Sequence, residues 1–465
     1  MAKEDTEASP IFPTGSKDGI LSDRHNVKHQ STIKGCSETD EYSPSPNRRS
    51  SFKPGSICCL IVSSILIYIL GILTGHQILE MDDPSFTRTT SFNEVSDTFA
   101  NSYLRRSASL PKVTVGAYYY PWHADDFHRG YDYLRKSLGQ QPLLGEYDDR
   151  DPQIIAQHLE WSERANIELW VTSWWGPYSR EDNTTREAIL THPELLDSDH
   201  QISLFYETFG RIRKDEDYSL DRVGPDMEFI CSNYFNHPNY FRIGDKPVIY
   251  VYLSRLLDDI GNLPKVIQLM RQTVRDACDQ DIYIIGDHIF GPPLAWVAED
   301  AQDALELLDG VTNYDVYGSI SKSMGSFGGY LQEDDVRRYY EMEQSEWKNI
   351  VNRQNCAYIP AVSPGYNDLA VRPEENHVPL SRSLFGQAPG SLFNTAIASA
   401  RTLVDSSASN VLMINSFNEF HEDSQIEPTA GESSTSIPFN LTYGLSYEGY
   451  GTLYLDILRS ATRDF

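Results

Sequence analysis

The chain has 465 residues and a formal net charge of −28, from 39 Lys+Arg against 67 Asp+Glu. That length allows two to four domains, or one large barrel with appendages, and the acidic excess excludes a nucleic-acid binder, which needs a basic face for phosphates. Hydrophobic residues make up 40%, enough for a large core, and the 28 Tyr and 7 Trp suit either sugar-stacking surfaces or ordinary packing.

The acidic excess is unevenly spread. Residues 1–56 hold eight basic and eight acidic residues, so the whole excess lies beyond them. Residues 1–54 are rich in Ser, Thr, Asp, Pro and Lys without apolar periodicity and read as a disordered tail. Ile57–Leu73 follows as 17 uncharged, apolar residues. At about 1.5 Å per residue it spans roughly 25 Å, which predicts a transmembrane helix within 55–75. Arg48, Arg49 and Lys53 precede it and Glu80, Asp82 and Asp83 follow it, so the positive-inside rule puts the tail in the cytosol and the bulk in the lumen. The expected arrangement is a single-pass type II signal anchor, with residues 76–110 as a luminal stem. Anionic membrane surfaces are otherwise disfavoured by the charge.

Of six cysteines, Cys36, Cys58 and Cys59 belong to the tail and anchor. Cys231, Cys278 and Cys356 remain, so at most one luminal disulfide can form. Asn183-Thr-Thr and Asn440-Leu-Thr are glycosylation acceptors if that side is luminal.

From residue 111 strands and helices alternate. Strand-like runs lie at 113–120, 167–175, 202–209, 247–253, 281–288, 309–314, 357–366 and 410–419. Asp151-Pro152 opens a helix to about Ala165, and further helical patterns lie before Pro238 and near 264–279, 333–352, 393–405 and 448–461. Eight such units predict an α/β fold, a (β/α)8 TIM barrel over 111–465. A doubly wound sheet is the alternative, and no phosphate-binding glycine motif follows any strand.

In such barrels the chemistry sits at the C-terminal strand ends. Those ends carry Tyr118 to Trp122, Trp174 and Trp175, Tyr206 and Glu207, Tyr250 and Tyr252, Asp287 and His288, Tyr314 and Tyr317, Tyr366, Asp368 and Arg372, and Asn418, Glu419, His421 and Glu422. The densest element, NSFNEFHEDSQIEP (415–428), places Glu419 and Glu422 three residues apart after an apolar strand. Paired carboxylates beside aromatic platforms suit glycoside chemistry, in which one acid is protonated and the other ionised. His421 can orient either carboxylate. A metal held by His421, Glu419, Glu422 and Asp423 is the competing reading, but no second cluster completes a ligand set.

This segment is similar to the strand-8 signature of glycoside hydrolase family 99, the endo-α-1,2-mannosidases, written Asn-Glu-Trp-His-Glu-Gly and ending in Gln-Ile-Glu. AYYYPW, TSWWGP, FYETF, VIYVY and PAVSPGYNDLAVRP extend the resemblance over about 115–430. The resemblance implies a retaining, endo-acting Golgi type II hydrolase of glucosylated mannose N-glycans. It implies Glu419 as the base on the substrate's 2-hydroxyl, giving a 1,2-anhydro sugar, and Glu422 as the acid. It also implies Trp175 as the outer sugar platform and Tyr118, Glu207, Tyr314, Tyr366 and Arg372 as pocket residues. No cofactor or metal is implied. Phe420 stands where Trp is usual and Asp423 where Gly is usual; the segment after strand 1 and the strand-6 end match poorly. Hydrolysis of another α-mannan, a non-catalytic glycan-binding barrel and a luminal glycosyltransferase are the alternatives.

Overall fold

The computed structural model describes residues 111–124, 140–214, 217–294, 302–324, 328–372, 377–431 and 439–463. The tail, the apolar run Ile57–Leu73, the stem and most of the segment after strand 1 lie outside them. No helix among the described residues is long and apolar enough to cross a membrane.

Eight strand positions run in parallel around one core. They are β1 (Thr114–Tyr119), β2 (Ile167–Trp174), β3 (Gln201–Tyr206), β4 (Lys246–Val251), β5 (Tyr283–Asp287), β6 (Gly310–Thr312), β7 (Ala357–Ile359 and Ala361–Val362) and β8 (Val411–Ile414). Each pairs with the next in chain order, and β8 returns to β1 with Thr114 opposite Val411. The run expected at 357–366 is split by Pro360, whose missing N–H cannot join a ladder. Its first half pairs with β6 and its second with β8, while Met413 N donates to the Pro360 carbonyl at 2.9 Å and carries the sheet across the break. The result is a nearly closed parallel barrel of nine strand segments with helices outside, which fits (β/α)8.

The strands are buried on both faces, as parallel strands under helices must be. Gly116 lets β1 and β8 close: a Cβ there would lie 2.6 Å from Met413 Sδ. The expected helix after β1 is α1 (Pro152–Arg164), capped by the Asp151 carboxylate accepting from Gln153 N at 2.9 Å. Outside the later strands lie α2 (Val223–Asn233), α3 (Leu263–Cys278), α4 (Ser345–Arg353), α5 (Ser391–Ala400) and α6 (Leu453–Thr462). Cys231 in α2 is disulfide-bonded to Cys278 at the end of α3, with Cα atoms 6.0 Å apart, and Cys356 is a buried free thiol. This is the single bridge, with one thiol left over, that three such cysteines permit.

Candidate active site

Strand β8 stops at Ile414, shorter than the expected run to 419, and the chain then turns across the barrel mouth. Asn418 holds this turn against the end of β1. Its Oδ1 accepts from Tyr120 N at 2.8 Å and its Nδ2 donates to Tyr120 O at 3.1 Å, a side chain doing the work of a ladder rung. Glu419 is next, 3% exposed, its N–H donating to Ser416 Oγ at 2.8 Å. Its Oε1 meets His421 twice: the backbone N–H at 3.0 Å and ring Nδ1 at 3.1 Å. Two partners on one oxygen fix the orientation of the carboxylate.

Glu422 faces a different partner. Arg372 Nη2 donates to its Oε1 at 2.7 Å, and Arg372 Nη1 donates to Asp368 Oδ2 at 2.8 Å and to the Tyr366 hydroxyl at 3.2 Å. Burial pushes the Glu422 carboxyl up to about 7, against Arg372, which pulls it down, and with Glu419, which pushes it further up. A carboxyl poised near neutrality beside a second carboxylate is what a general acid requires.

The other anticipated residues fall around this pair. Glu207 caps β3, 4% exposed, and accepts from Ser173 Oγ at 2.6 Å; Ser173 in turn accepts from Trp175 Nε1 at 2.9 Å. Trp175 is half-buried, and Gly210 gives its ring room, since a Cβ there would sit 2.4 Å from the indole. Tyr314 shares a short hydrogen bond with Tyr120. Tyr366 stacks on Tyr317 with centroids 4.3 Å apart. Tyr118 has no exposed surface; it packs against Phe205 and Tyr314, each at 4.9 Å, as the floor beneath the pocket rather than a wall of it.

Three phenols tie the carboxylates to one volume. Tyr120 is held protonated by burial first and then by Glu419, Glu207 and Glu422. Tyr252 responds, after burial, to Glu207 and Glu422, and Tyr314 to Tyr120, Glu422, Tyr252 and Glu419. Tyr120 and Tyr252 stood in the sequence reading only among the strand-end residues, without a pocket role of their own, because neighbouring tyrosines at strand ends look alike until the pleat says which faces the mouth.

The metal arrangement does not assemble. Asp423 turns away to Arg382, with Nη2 to Oδ1 at 3.0 Å, and Glu422 turns to Arg372. Among the described residues no group of His, Cys, Asp and Glu could hold a metal ion. Phe420 packs with Tyr147 outside the main core. Behind the pocket lies a buried polar cluster without a sequence signal: the Tyr147 hydroxyl donates to Glu427 at 2.8 Å, and Tyr119 OH and His158 Nδ1 are 3.0 Å apart. A cavity of about 520 Å³ at the opposite end of the barrel, beside Arg271, Tyr283 and Asp309, contains none of these groups.

Residues 113–282 match the model of Glycosyl hydrolase family 99, and residues 215–435 match the model of Glycosyltransferase WbsX. A mouse glycoprotein endo-alpha-1,2-mannosidase-like protein is 26% identical over 332 residues, 70% of this chain and 64% of the relative. A mouse glycoprotein endo-alpha-1,2-mannosidase is 25% identical, over 70% of this chain and 63% of the relative. The chain thus spans less than two thirds of the length of these curated relatives. The solved GH99 endo-alpha-mannosidase from Bacteroides thetaiotaomicron superposes with a TM-score of 0.51 at 22% identity, covering 75% of this chain and 96% of that one. A glycoside hydrolase-like protein gives 0.52 at 20% identity, covering 76% and 94%. Structural likeness at this identity shows the barrel fold.

Proposed function

The chain belongs to glycoside hydrolase family 99, and from that premise we propose that it is a retaining, endo-acting α-mannosidase that cleaves internal α-1,2-mannosidic bonds of high-mannose N-glycans. The observation that carries the reading is the pair itself: a buried carboxyl raised to about 7 at Glu422 beside Glu419, whose Oε1 is engaged by His421.

In the proposed reaction Glu419 takes the proton of the substrate's 2-hydroxyl. The 2-oxygen attacks C1, the bond from C1 to the leaving oxygen breaks, and Glu422 gives that oxygen its proton, leaving a 1,2-anhydro sugar. Water then attacks C1 and yields a proton to Glu422. The C1–O2 bond opens and Glu419 returns its proton to O2, so two inversions give net retention. Trp175, Tyr314 and Tyr366 offer ring or hydroxyl surfaces to the sugars. Arg372 orients the acid.

The test compares two substitutions on two substrates. General acid–base groups contribute roughly 10²–10⁴-fold each, so Glu419→Gln and Glu422→Gln should both nearly abolish turnover of glucosylated mannose glycans. On a substrate with an activated aryl leaving group, which departs with little protonation, Glu422→Gln should keep much of its activity and Glu419→Gln should not. Equal losses on both substrates would remove the separate roles.

A second reading, transfer of a sugar to an acceptor, is favoured by the match of 215–435 to the glycosyltransferase model. Sizing the products with and without a nucleotide-sugar donor separates the two: hydrolysis shortens the glycan without donor, and transfer lengthens an acceptor only with it. The apolar run at 57–73 and the charges beside it support a type II topology with the barrel luminal, and the resemblance to family 99 supports placing it in the Golgi.

A further inference from the structure

The turn after Glu422 is built around a buried ion pair. Asp423 adopts φ 49° and ψ 34°, in the left-handed region, where Asp is better tolerated than most side chains but still strained. Its side chain is 2% exposed and its partner Arg382 8%. Arg382 reaches in from the loop before α5. Its Nε and Nη2 donate to Asp423 Oδ1 at 3.3 and 3.0 Å, and Nη2 also donates to the carbonyls of Asp423 and Gln425 at 2.9 and 3.0 Å. The guanidinium lies 5.0 and 4.8 Å from the rings of Tyr450 and Tyr454. On the other side the Glu422 carbonyl accepts from Asn367 N at 2.8 Å. The backbone from 422 to 425 is therefore gripped at both ends.

A buried ion pair is a poor stabiliser, since desolvation offsets its attraction. What this one supplies is geometry: it fixes an otherwise unfavourable turn one residue beyond the acid. Arg372 touches the Glu422 carboxylate, but a side chain can be aimed only from a backbone that stays put. We propose that Arg382 and Asp423 are positioning residues for the general acid, holding the 422–425 turn so that the Glu422 carboxyl meets the leaving oxygen. The proposal rests on the reading of Glu422 as that acid.

Positioning and mere stabilisation are separable by leaving group. Asp423→Asn keeps the shape and tolerates the left-handed turn but removes the charge. Arg382→Lys keeps the charge but loses the planar fork that serves three acceptors. The full-length variants would be assayed on a mannose glycan and on an aryl glycoside with an activated leaving group, beside Glu422→Gln, with thermal melts of each. Displacement of a catalytic group by about 1 Å can cost on the order of 10²-fold, so kcat on the glycan should fall roughly 10–100-fold with KM within about twofold. Activity on the aryl substrate should stay within about threefold of the parent, because that reaction asks little of the acid. Equal losses on both substrates, or a lowered Tm with glycan kcat intact, would overturn the proposal. If Arg382→Lys does not fold, Asp423→Asn decides alone. If Glu422→Gln itself shows no dependence on leaving group, the acid assignment fails, and this proposal with it.

Discussion

Glu422 titrates in an environment set by three opposed influences, and each can be removed singly. Burial raises the carboxyl, Arg372 lowers it and Glu419 raises it, to about 7 overall. The proposed role of Glu422 as general acid requires its protonated form, so activity should fall as pH rises through about 7. Replacing Arg372 with Met removes the lowering influence, so the alkaline limb of kcat should move to higher pH, while Glu419→Gln would move the Glu422 titration lower. A limb that stays put or moves down in Arg372→Met would show that Arg372 does not act on the acid. The stability sign follows from the same raised value: the folded form binds this proton more tightly than the unfolded chain, so the contribution is full below the ordinary carboxylate range and is lost as pH rises through about 7. Glu419 and Glu422 stand out as candidates in the sequence because four acids and a His crowd one turn after an apolar strand. The Arg372 contact spans fifty residues; the barrel reading placed Arg372 at a strand end and the resemblance made it a pocket residue, but neither paired it with Glu422. Arg382 and the Tyr147–Glu427 bond left no local trace, since their partners meet only in three dimensions.

At the scale of elements, chain order and type were read well and ends were not. The eight apolar runs became eight strand positions, yet β8 ends at Ile414 and β7 breaks at Pro360. Apolar residues continue past a strand wherever the mouth is lined with rings, so hydrophobic pattern overruns the hydrogen-bonded ladder. The same local context distinguishes the two sequons. Asn183 ends a short helix; its Nδ2 donates to Tyr178 O at 3.1 Å and its Oδ1 accepts from Arg186 at 2.9 Å, and Thr185 has no exposed surface. Asn440 is exposed on the short helix Phe439–Thr442. A glycan on Asn183 would have to leave from an Nδ2 that is turned to the Tyr178 carbonyl, on an amide held by Arg186, so Asn440 should carry the modification if the barrel is luminal. Asn440→Gln should then abolish the glycosidase-sensitive mobility shift and Asn183→Gln should leave it. The reverse pattern would contradict the local geometry, and the absence of any glycan would count against a luminal barrel.

For the whole molecule, alternation of strand and helix was enough to anticipate a parallel barrel, because each βα unit buries its strand only when the next packs beside it. Closure makes the two ends of the barrel unequal to the rest of the chain. The described residues fall within one compact unit. Within it α6 seals the outside near α1: Arg164 Nη2 meets Asp456 Oδ1 at 2.7 Å, Asn166 Nδ2 donates to Thr462 Oγ1 at 3.2 Å, and the Tyr454 ring lies 5.7 Å from Phe393. Tyr454, Leu455 and Leu458 are fully buried. Burial of a large apolar side chain contributes roughly 1.5–3 kcal/mol, so three such residues account for about as much as a typical domain's whole stability margin of roughly 5–15 kcal/mol. Tyr454 also forms one face of the stack on Arg382, so loss of α6 would release the turn after Glu422 as well. Deleting residues 1–103 should therefore leave a protein that melts cooperatively and turns over the activated substrate at the parent rate, whereas deleting 449–465 should leave none that melts cooperatively. Calorimetry on the two truncations decides. A cooperative melt after loss of α6 would mean that the barrel does not need its last helix, and failure of 104–465 to fold would mean that it needs more than itself.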